Sequence, residues 1–291
     1  MIWLSKKRNL LFMLLPTVVL YACYVLLPIA ISFYYSLTKF SGIGKPKFIG
    51  FGNFARLLGD DYFWISLKNT LIVLGVEFVF LLPAAFAVAL LLNKSIKGVT
   101  ALKAINFSPM VIAPILVGLV FVFILDPHMG FLNMLMKKAG LDAFALPWIG
   151  GKALSPYSIG FVHSWQTLGL LMTIFLAGLK MIPKDVYESS SIDGATAWQQ
   201  LRYITVPMMN ESFKIGAVLI ITGVFKIFEI VIQLTGGGPN HLSETLVTYM
   251  YSMTFANGQY GYGMALAVVT FLLAVAFSAA YLLMSRKNIE A

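Results

Sequence analysis

Charged residues are scarce in this sequence. Only 11% of its 291 residues are Asp, Glu, Lys or Arg, and 59% are hydrophobic. Soluble domains carry about 25% charged residues, so the composition excludes an ordinary soluble protein and indicates a membrane protein. The net charge of +9 predicts basic loops and contact with anionic lipid in such a chain. No basic stretch interleaved with aromatic residues accompanies it, so we expect no nucleic-acid partner.

Cysteine and histidine are scarce as well. Cys23 is the only cysteine, which rules out a disulfide within the chain and a C-x-x-C site. The three histidines, His128, His163 and His241, lie far apart and form no ligand cluster in the sequence. The phosphate-binding pattern G-x-x-x-x-G-K-[ST] is missing too. The sequence therefore predicts no metal site, no catalytic residue and no bound cofactor; any ATP that drives the protein is bound by another polypeptide.

Long apolar runs are what the sequence does contain. Runs of about twenty apolar residues span a bilayer as helices. Six such runs occur, at residues 10–35, 71–92, 105–125, 159–179, 215–234 and 264–284. The first run follows a basic N-terminus, as in a signal peptide, but it is too long for one and is predicted to be the first span. The fold class predicted is an all-α polytopic membrane protein, with six transmembrane helices in a single domain over residues 1–291.

The distribution of lysine and arginine predicts the orientation. These residues are more numerous in the N-terminus, the second and fourth loops and the C-terminus than in the longer first, third and fifth loops. Positive residues are enriched in cytoplasmic segments. We therefore expect both termini in the cytoplasm.

The polar loop between the fourth and fifth runs carries helix signals on both sides of a glycine. Asp185 and Glu188 make an acidic first turn, which is favourable at a helix N-terminus. Gly194 supplies a flexible or left-handed bend. Thr196 and Gln199 fit a capping box, which begins a second short helix. The loop is predicted to be two short helices joined at Gly194.

The same loop resembles a known motif. Glu188-Ser189-Ser190, then Gly194, then Ile204-Thr205-Val206-Pro207 is similar to the EAA motif, E-A-A-x3-G-x9-I-x-L-P, of binding-protein-dependent ABC importer permeases. Serines replace both alanines and Val206 replaces leucine. The resemblance implies a type I importer (MetI-like) architecture, with a cytoplasmic coupling loop at residues 182–210 that docks on the ATPase. It assigns this coupling to Asp185, Glu188, Ser189, Ser190, Asp193, Gly194, Thr196 and Trp198.

Two further stretches extend the resemblance. Residues 234–239, Leu-Thr-Gly-Gly-Gly-Pro, are similar to the T-x-G-G-P signature of carbohydrate-type permeases, and residues 126–133 to their P-x-x-G-x-x-N stretch. The resemblance thus points to the six-span sugar permease subfamily. Its physical alternative is ordinary turn chemistry at the membrane surface, and the alternative for the coupling loop is an amphipathic connector lying on the membrane.

The resemblance implies a function and a set of partners. The chain would form half of the translocation pathway of an ATP-driven importer for an oligosaccharide or related polyol, in the cytoplasmic membrane of a bacterium or archaeon. Its partners would be a second related permease subunit, two copies of a cytoplasmic ATPase that bind ATP and Mg²⁺, and an extracytoplasmic solute-binding protein. The lipid bilayer would surround it.

Polar residues inside the apolar runs are functional candidates because buried charge is costly in a membrane. Lys226 and Glu229 are three residues apart and are predicted to share one helix face, so they can pair. Such a pair would either be structural or belong to a polar stripe that binds sugar hydroxyls. Trp165 would stack on a sugar ring or anchor the helix at the membrane surface. The full set of pathway candidates is Asn69, Glu77, Trp165, Gln166, Lys226, Glu229 and Gln233.

Two other function classes stay open from the residues alone. In an ion-coupled secondary transporter, Glu77, Lys226 and Glu229 would form the ion site. That class predicts inverted repeats and broken helices, and we identify neither in the sequence. An intramembrane enzyme would need a nucleophile with a base, or metal ligands, within the spans, and the scattered histidines and single cysteine disfavour it.

Overall fold

The computed structural model describes residues 7–94, 97–151 and 153–287. Lys6 and Lys152, which contribute to the charge distribution above, lie outside the described residues. The chain divides into two compact units, one of Met1–Asp60 with Met250–Phe271 and one of Asp61–Tyr249 with Leu272–Ala291. The single domain over residues 1–291 stays a prediction.

Helices dominate the described chain. The first unit begins with α1 and α2, which are joined by a π-helical turn, and continues with a two-stranded antiparallel ladder and α3; these elements are α1 Lys7–Tyr21, the π turn Ala22–Leu26, α2 Leu27–Ser36, β1 Thr38–Lys39, β2 Lys47–Phe48 and α3 Gly52–Leu58. Two helices near the C-terminus contribute to both units; with the π turn between them they are α15 Leu246–Tyr251, Ser252–Ala256 and α16 Tyr260–Lys287.

The second unit holds the remaining helices. In chain order they are α4 Asp61–Val76, the π turn Glu77–Leu81, α5 Leu82–Leu92, α6 Val99–Val111, α7 Pro114–Leu125, α8 Phe131–Lys138, the 3₁₀ turn Asp142–Phe144, α9 Ser155–Met181, α10 Lys184–Ile192, α11 Ala197–Gln200, the π turn Leu201–Thr205, α12 Val206–Met208, α13 Asn210–Val224 and α14 Glu229–Thr235.

Four helical stretches of the described chain are long and apolar enough to span a membrane. They are Leu11–Ser36, Asp61–Leu92, Ser155–Met181 and Tyr260–Ser285. Two bent helix pairs raise the number to six if each is one span; these are Val99–Val111 with Pro114–Leu125, bent by 97°, and Ala197–Met208 with Asn210–Val224, bent by 65°. The helical fold agrees with the prediction. The third run is bent between Val111 and Pro114, and the fifth run, residues 215–234, is interrupted between Val224 and Glu229. The expectation of no broken helices is therefore wrong.

Proline accounts for the bend in the third run. Ile112 and Ala113 are extended, with ψ of 133° and 132°, and α7 starts at Pro114. A residue before proline is pushed out of the helical region, and proline itself fits the first turn of a new helix. The predicted run of residues 105–125 is therefore two helices.

Three of the π-helical turns share a local cause. Ala22–Leu26, Glu77–Leu81 and Leu201–Thr205 each end two residues before a proline: Pro28, Pro83 and Pro207. Proline lacks the N–H that would bond four residues back, and its ring crowds that carbonyl. The preceding turn widens to a five-residue hydrogen-bond spacing, which places an extra residue in the turn and redirects its side chains.

Helix α9 is the centre of the second unit. It packs against α4, α5, α6, α7, α13 and α14. Within its apolar stretch of 18 residues, 56% is buried. Glycines on α9 permit the closest crossings. A Cβ on Gly169 would lie 2.6 Å from the Phe107 Cα of α6, and one on Gly160 would lie 2.9 Å from the Val76 Cβ of α4. Small residues that allow close backbone approach are typical of helix packing in membranes.

Candidate coupling loop and intramembrane cavity

The loop after α9 has the two-helix form that its sequence predicts. Helix α10 ends at Ile192, and Gly194 follows in the left-handed region with φ of 80°. The Ala195 N–H then donates to the Ser190 carbonyl at 2.9 Å, which satisfies a carbonyl at the end of α10. Thr196 caps α11 in a full capping box with Gln199. The bend and both caps are therefore set by local sequence.

Hydrogen bonds between the two short helices tie them together. The Gln200 amide at the end of α11 donates to the hydroxyls of Ser190 at 3.0 Å and Ser191 at 2.9 Å on α10. The hydroxyls of Tyr187 and Thr205 lie 2.9 Å apart, which adds a second connection. Ser190 stands where the motif has alanine, so this departure from the motif supplies an acceptor for Gln200. We call this set of contacts the Gln200 bridge.

The outer face of the loop is exposed and partly apolar. Ile192 is 87% exposed, Trp198 66% and Tyr203 68%. Glu188 is also exposed, and no described residue forms an ion pair with it. Aromatic and aliphatic side chains with a carboxylate beside them are the components of a docking surface rather than of a packed core.

A cavity of about 270 Å³ in the second unit is lined by two charged residues of the apolar runs, Glu77 and Lys226. Glu77 is 1% exposed, and its Oε1 lies 2.5 Å from Nδ1 of His163 on α9. Lys226, Thr167 and Thr222 also line the cavity. The cavity thus offers a carboxylate–imidazole pair, an ammonium group and two hydroxyls within an otherwise apolar wall.

His163 is the residue that the sequence analysis missed as a site candidate. The histidines were considered only as ligands of one metal cluster, and the described residues contain no group of three or more His, Cys, Asp or Glu that could hold a metal ion. The signal was present, because His163 lies within the fourth apolar run and an ionisable residue inside a span is a functional candidate.

The predicted pairing of Lys226 with Glu229 is wrong. Helix α13 ends at Val224, and α14 begins at Glu229 after Phe228, whose φ is −135°. The two side chains therefore do not share a continuous helix face, and the ion pairs among the described residues do not include them. Lys226 lies in the break and faces the cavity, whereas Glu229 starts the next helix.

Two other candidates, Asn69 and Gln166, make structural hydrogen bonds. The Asn69 amide donates to the carbonyls of Leu242 and Glu244, both at 2.9 Å. The Gln166 amide donates to the Ile112 carbonyl at 2.8 Å, which satisfies the break between α6 and α7. These amides hold backbone groups that no helix satisfies.

Trp165 and Gln233 also lie outside the cavity's lining. Trp165 packs edge-on against Phe121, with ring centroids 5.2 Å apart. A Cβ on Gly118 would lie 2.7 Å from the Gln233 Cβ, so Gln233 lies where α14 crosses α7. Of the predicted pathway residues, the cavity brings together only Glu77 and Lys226.

The glycine-rich loop held by Asn69 contains a buried carboxylate. Glu244 is 4% exposed, and its Oε1 lies 2.9 Å from Nδ1 of His241. Burial raises the pKa of Glu244, while the hydrogen bond and charge of His241 oppose that rise. Gly237, with φ of 80°, packs so closely that a Cβ there would lie 2.6 Å from the Glu244 Cγ. The glycines of this loop thus serve its folding.

Comparison with known proteins identifies the family. The model of a family described as "binding-protein-dependent transport system inner membrane component" matches residues 81–289. The chain belongs to this family. It is a binding-protein-dependent ABC permease, a transport component and a multi-pass membrane protein. Membership in this family sets aside the ion-coupled carrier and the intramembrane enzyme.

Curated permeases match over nearly the whole chain. The probable ABC transporter permease YurN of Bacillus subtilis is 30% identical over 277 residues, covering 94% of this chain and 95% of the relative. AmyD of Thermoanaerobacterium thermosulfurigenes, a probable starch degradation products transport permease, is 30% identical, with 94% and 92% covered. NgcF of Streptomyces coelicolor, a diacetylchitobiose uptake permease, is 28% identical, with 92% and 79% covered.

A solved importer has the same fold as this permease. A chain of a bacterial ABC transporter that imports the acidic polysaccharide alginate matches with a TM-score of 0.81 and 25% identity, covering 98% of both chains. The predicted type I importer permease architecture is confirmed.

Proposed function

We propose that this permease forms half of the translocation pathway of a carbohydrate importer and that residues 182–210 couple it to a separate ATPase. The supporting observation is the form of that loop: two short helices fixed at an angle by Gly194 and the Gln200 bridge, with Glu188, Ile192 and Trp198 exposed. A loop of fixed shape with an apolar outer face can dock in a groove of a partner protein. It can then pass the partner's movement to the membrane helices attached to it.

The names of the relatives support a carbohydrate as the substrate. Permeases named for starch degradation products, diacetylchitobiose and trehalose or maltose are 27–30% identical to this chain over at least 92% of its length. Hydroxyls and charged groups such as those of the cavity bind sugar hydroxyls. The proposed substrate is an oligosaccharide or related polyol, received from an extracytoplasmic binding protein.

The remaining partners are proposed because the family that the chain belongs to implies them. A second related permease subunit completes the pathway, and two copies of the cytoplasmic ATPase hold ATP and Mg²⁺. Closure of the ATPase dimer moves the coupling loops, and the helices attached to them open the pathway toward the other side of the membrane. In this proposal both termini are cytoplasmic.

Substitutions in the loop test the coupling. Glu188→Lys should abolish uptake of a labelled oligosaccharide and reduce co-purification of the ATPase, since losing a charged hydrogen bond at an interface costs on the order of 2–5 kcal/mol. Gly194→Asp should do the same. Nothing lies within 4 Å of a Cβ at Gly194, so within this chain the cost is limited to backbone strain, about 1–2 kcal/mol.

Gly150 offers a matched control. It also has a left-handed φ, 78°, with nothing within 4 Å of an added Cβ, but it lies in the loop before α9. Gly150→Asp should leave uptake and ATPase binding unchanged at equal protein levels. Normal uptake and normal ATPase binding in both Glu188→Lys and Gly194→Asp would overturn the coupling assignment.

A further inference from the structure

Basic residues line a second cavity, in the first unit. Its volume is about 410 Å³, and its walls come from the β1–β2 ladder, α3 and the start of α16. Four cations line it: Lys39, Lys45, Lys47 and Arg56. The sequence from residue 37 to residue 59 contains these four cations and no acidic residue. We call this cavity the basic pocket.

The ladder places two of these cations side by side. Lys39 on β1 pairs with Lys47 on β2 in antiparallel register, so both side chains point to the same face. Like charges directly opposite each other destabilise a ladder. This ladder has only two residues per strand, so it has little else to offset the repulsion. The arrangement is favourable once an anion lies between the two ammonium groups.

Neutral contacts hold the third cation in place. The Arg56 guanidinium donates to the Gln259 side-chain oxygen at 2.7 Å and lies 4.3 Å from the centre of the Tyr262 ring. The ion pairs found among the described residues include none of the four pocket cations. These contacts fix the Arg56 guanidinium in position, and the Asp60 carboxylate accepts a hydrogen bond from the hydroxyl of the same Tyr262. The three lysines of the pocket take part in none of those ion pairs.

The pocket lies at the end of a span. Lys39 is three residues beyond Ser36, where the candidate span Leu11–Ser36 ends, so it lies within roughly 10 Å of that end at about 3.3 Å per residue. Large apolar side chains on the same segment face outward: Ile43 is 89% exposed, Phe48 67% and Phe51 76%. Apolar side chains beside cations at a span terminus match the headgroup region of a bilayer.

We propose that the basic pocket binds the phosphodiester headgroup of an anionic phospholipid, whose acyl chains lie along the exposed surface of the first span. The phosphate would sit between Lys39 and Lys47 and neutralise their repulsion, with Arg56 as a further donor. The cavity is large enough for a glycerophosphate group and too small for a folded partner. This site is independent of the coupling loop and its proposed ATPase.

Lipid retention tests the proposal. The full-length chain would be purified from nanodiscs of phosphatidylcholine with a minor fraction of phosphatidylglycerol, and the retained lipids would be identified by native mass spectrometry. We expect phosphatidylglycerol to be retained in preference to phosphatidylcholine. In Lys39→Gln/Lys47→Gln, retention should fall by about 25-fold, since each basic residue near a membrane surface contributes about 1 kcal/mol, a factor of about five.

Lys137 and Lys138, in the last turn of α8, provide a control with the same change in net charge. Lys137→Gln/Lys138→Gln should retain phosphatidylglycerol as the unaltered chain does. An equal loss in both double variants, or equal retention of the two lipids by the unaltered chain, would overturn the proposal. Displacement of the retained phosphatidylglycerol by a soluble acidic oligosaccharide that binds in the basic pocket would also overturn the proposal. The pocket would then be a substrate site.

The like-charged pair allows a second measurement. In phosphatidylcholine alone, Lys47→Gln should raise the unfolding temperature, because it removes the repulsion across the ladder. With phosphatidylglycerol present the same substitution should lower it, because a lipid contact is lost. A shift of the same sign in both lipids would contradict an anion held between Lys39 and Lys47.

Discussion

Individual glycines decide how closely the helices of the second unit pack. Gly169 on α9 faces the backbone of α6, and backbone cannot move aside as a side chain can. Gly75 near the end of α4 has nothing within 4 Å of an added Cβ. The two positions look alike in the sequence, since both are glycines in apolar runs, but they differ in what a methyl group would meet.

We predict opposite effects of alanine at these two positions. Gly169→Ala should lower the free energy of unfolding by about 1–3 kcal/mol, because the methyl group forces α6 away from α9. Gly75→Ala should raise it by about 0.5–1 kcal/mol, since alanine restricts the unfolded chain and favours the helix. Thermal unfolding of the purified chain in detergent measures both, and a neutral Gly169→Ala would show that the crossing is looser than described.

The residues of the coupling loop were predictable one by one. The left-handed Gly194 and the Thr196–Gln199 capping box follow from rules that involve only near neighbours, and the structure confirms both. The Gln200 bridge was not predictable, because it depends on how α11 folds back on α10. The same limit hid the roles of Asn69 and Gln166, whose partners are far away in the sequence.

At the scale of the element, hydropathy located the apolar runs but not their continuity. A run is recognised by length and apolar content, and neither changes when a helix breaks. The break after Ile112 had a visible cause in Pro114. The break at Phe225–Phe228 has no proline, and its Ile227 carbonyl is held by the distant Thr245 hydroxyl at 3.4 Å. Tertiary contacts overrode the local pattern there, which is why the Lys226–Glu229 pairing failed.

The Glu77–His163 contact joins two of the long helical stretches, and we predict that its members depend on each other. Glu77→Leu or His163→Leu alone should destabilise the chain by about 3–5 kcal/mol, because each leaves a buried polar group without its partner. The double variant should recover most of that loss. Glu229→Leu, at an exposed position, should change stability by less than about 0.5 kcal/mol. Additive losses in the thermal unfolding of the double variant would rule out a coupled pair.

At the scale of the whole molecule, the lysine and arginine distribution predicts the orientation in the membrane. The basic pocket is an exception to that distribution, since the first loop is predicted to be outside and still carries Lys39, Lys45, Lys47 and Arg56. The proposed lipid binding explains why these four cations occur in a loop that is predicted to lie outside the cytoplasm.

Labelling of single cysteines tests the orientation. In a chain with Cys23 replaced by serine, Ser190→Cys should react with a membrane-impermeant maleimide only after the membrane is opened, because the coupling loop is predicted to be cytoplasmic. Gly150→Cys, in the loop before α9, should react in intact cells. Reaction of Ser190→Cys in intact cells would contradict the predicted topology. It would also contradict the proposed docking of this loop on a cytoplasmic ATPase.

The first span has a consequence for how the protein is made. The apolar 18-residue stretch of Leu11–Ser36 is not buried against any part of the described chain. No later segment of the chain is therefore required to cover this helix. This helix can leave the translocon and settle in the bilayer while the rest of the chain is still on the ribosome. The neighbours of this helix are lipid or another subunit. Before such a subunit binds, a newly made copy exposes the whole helix surface to membrane proteases that degrade unassembled chains.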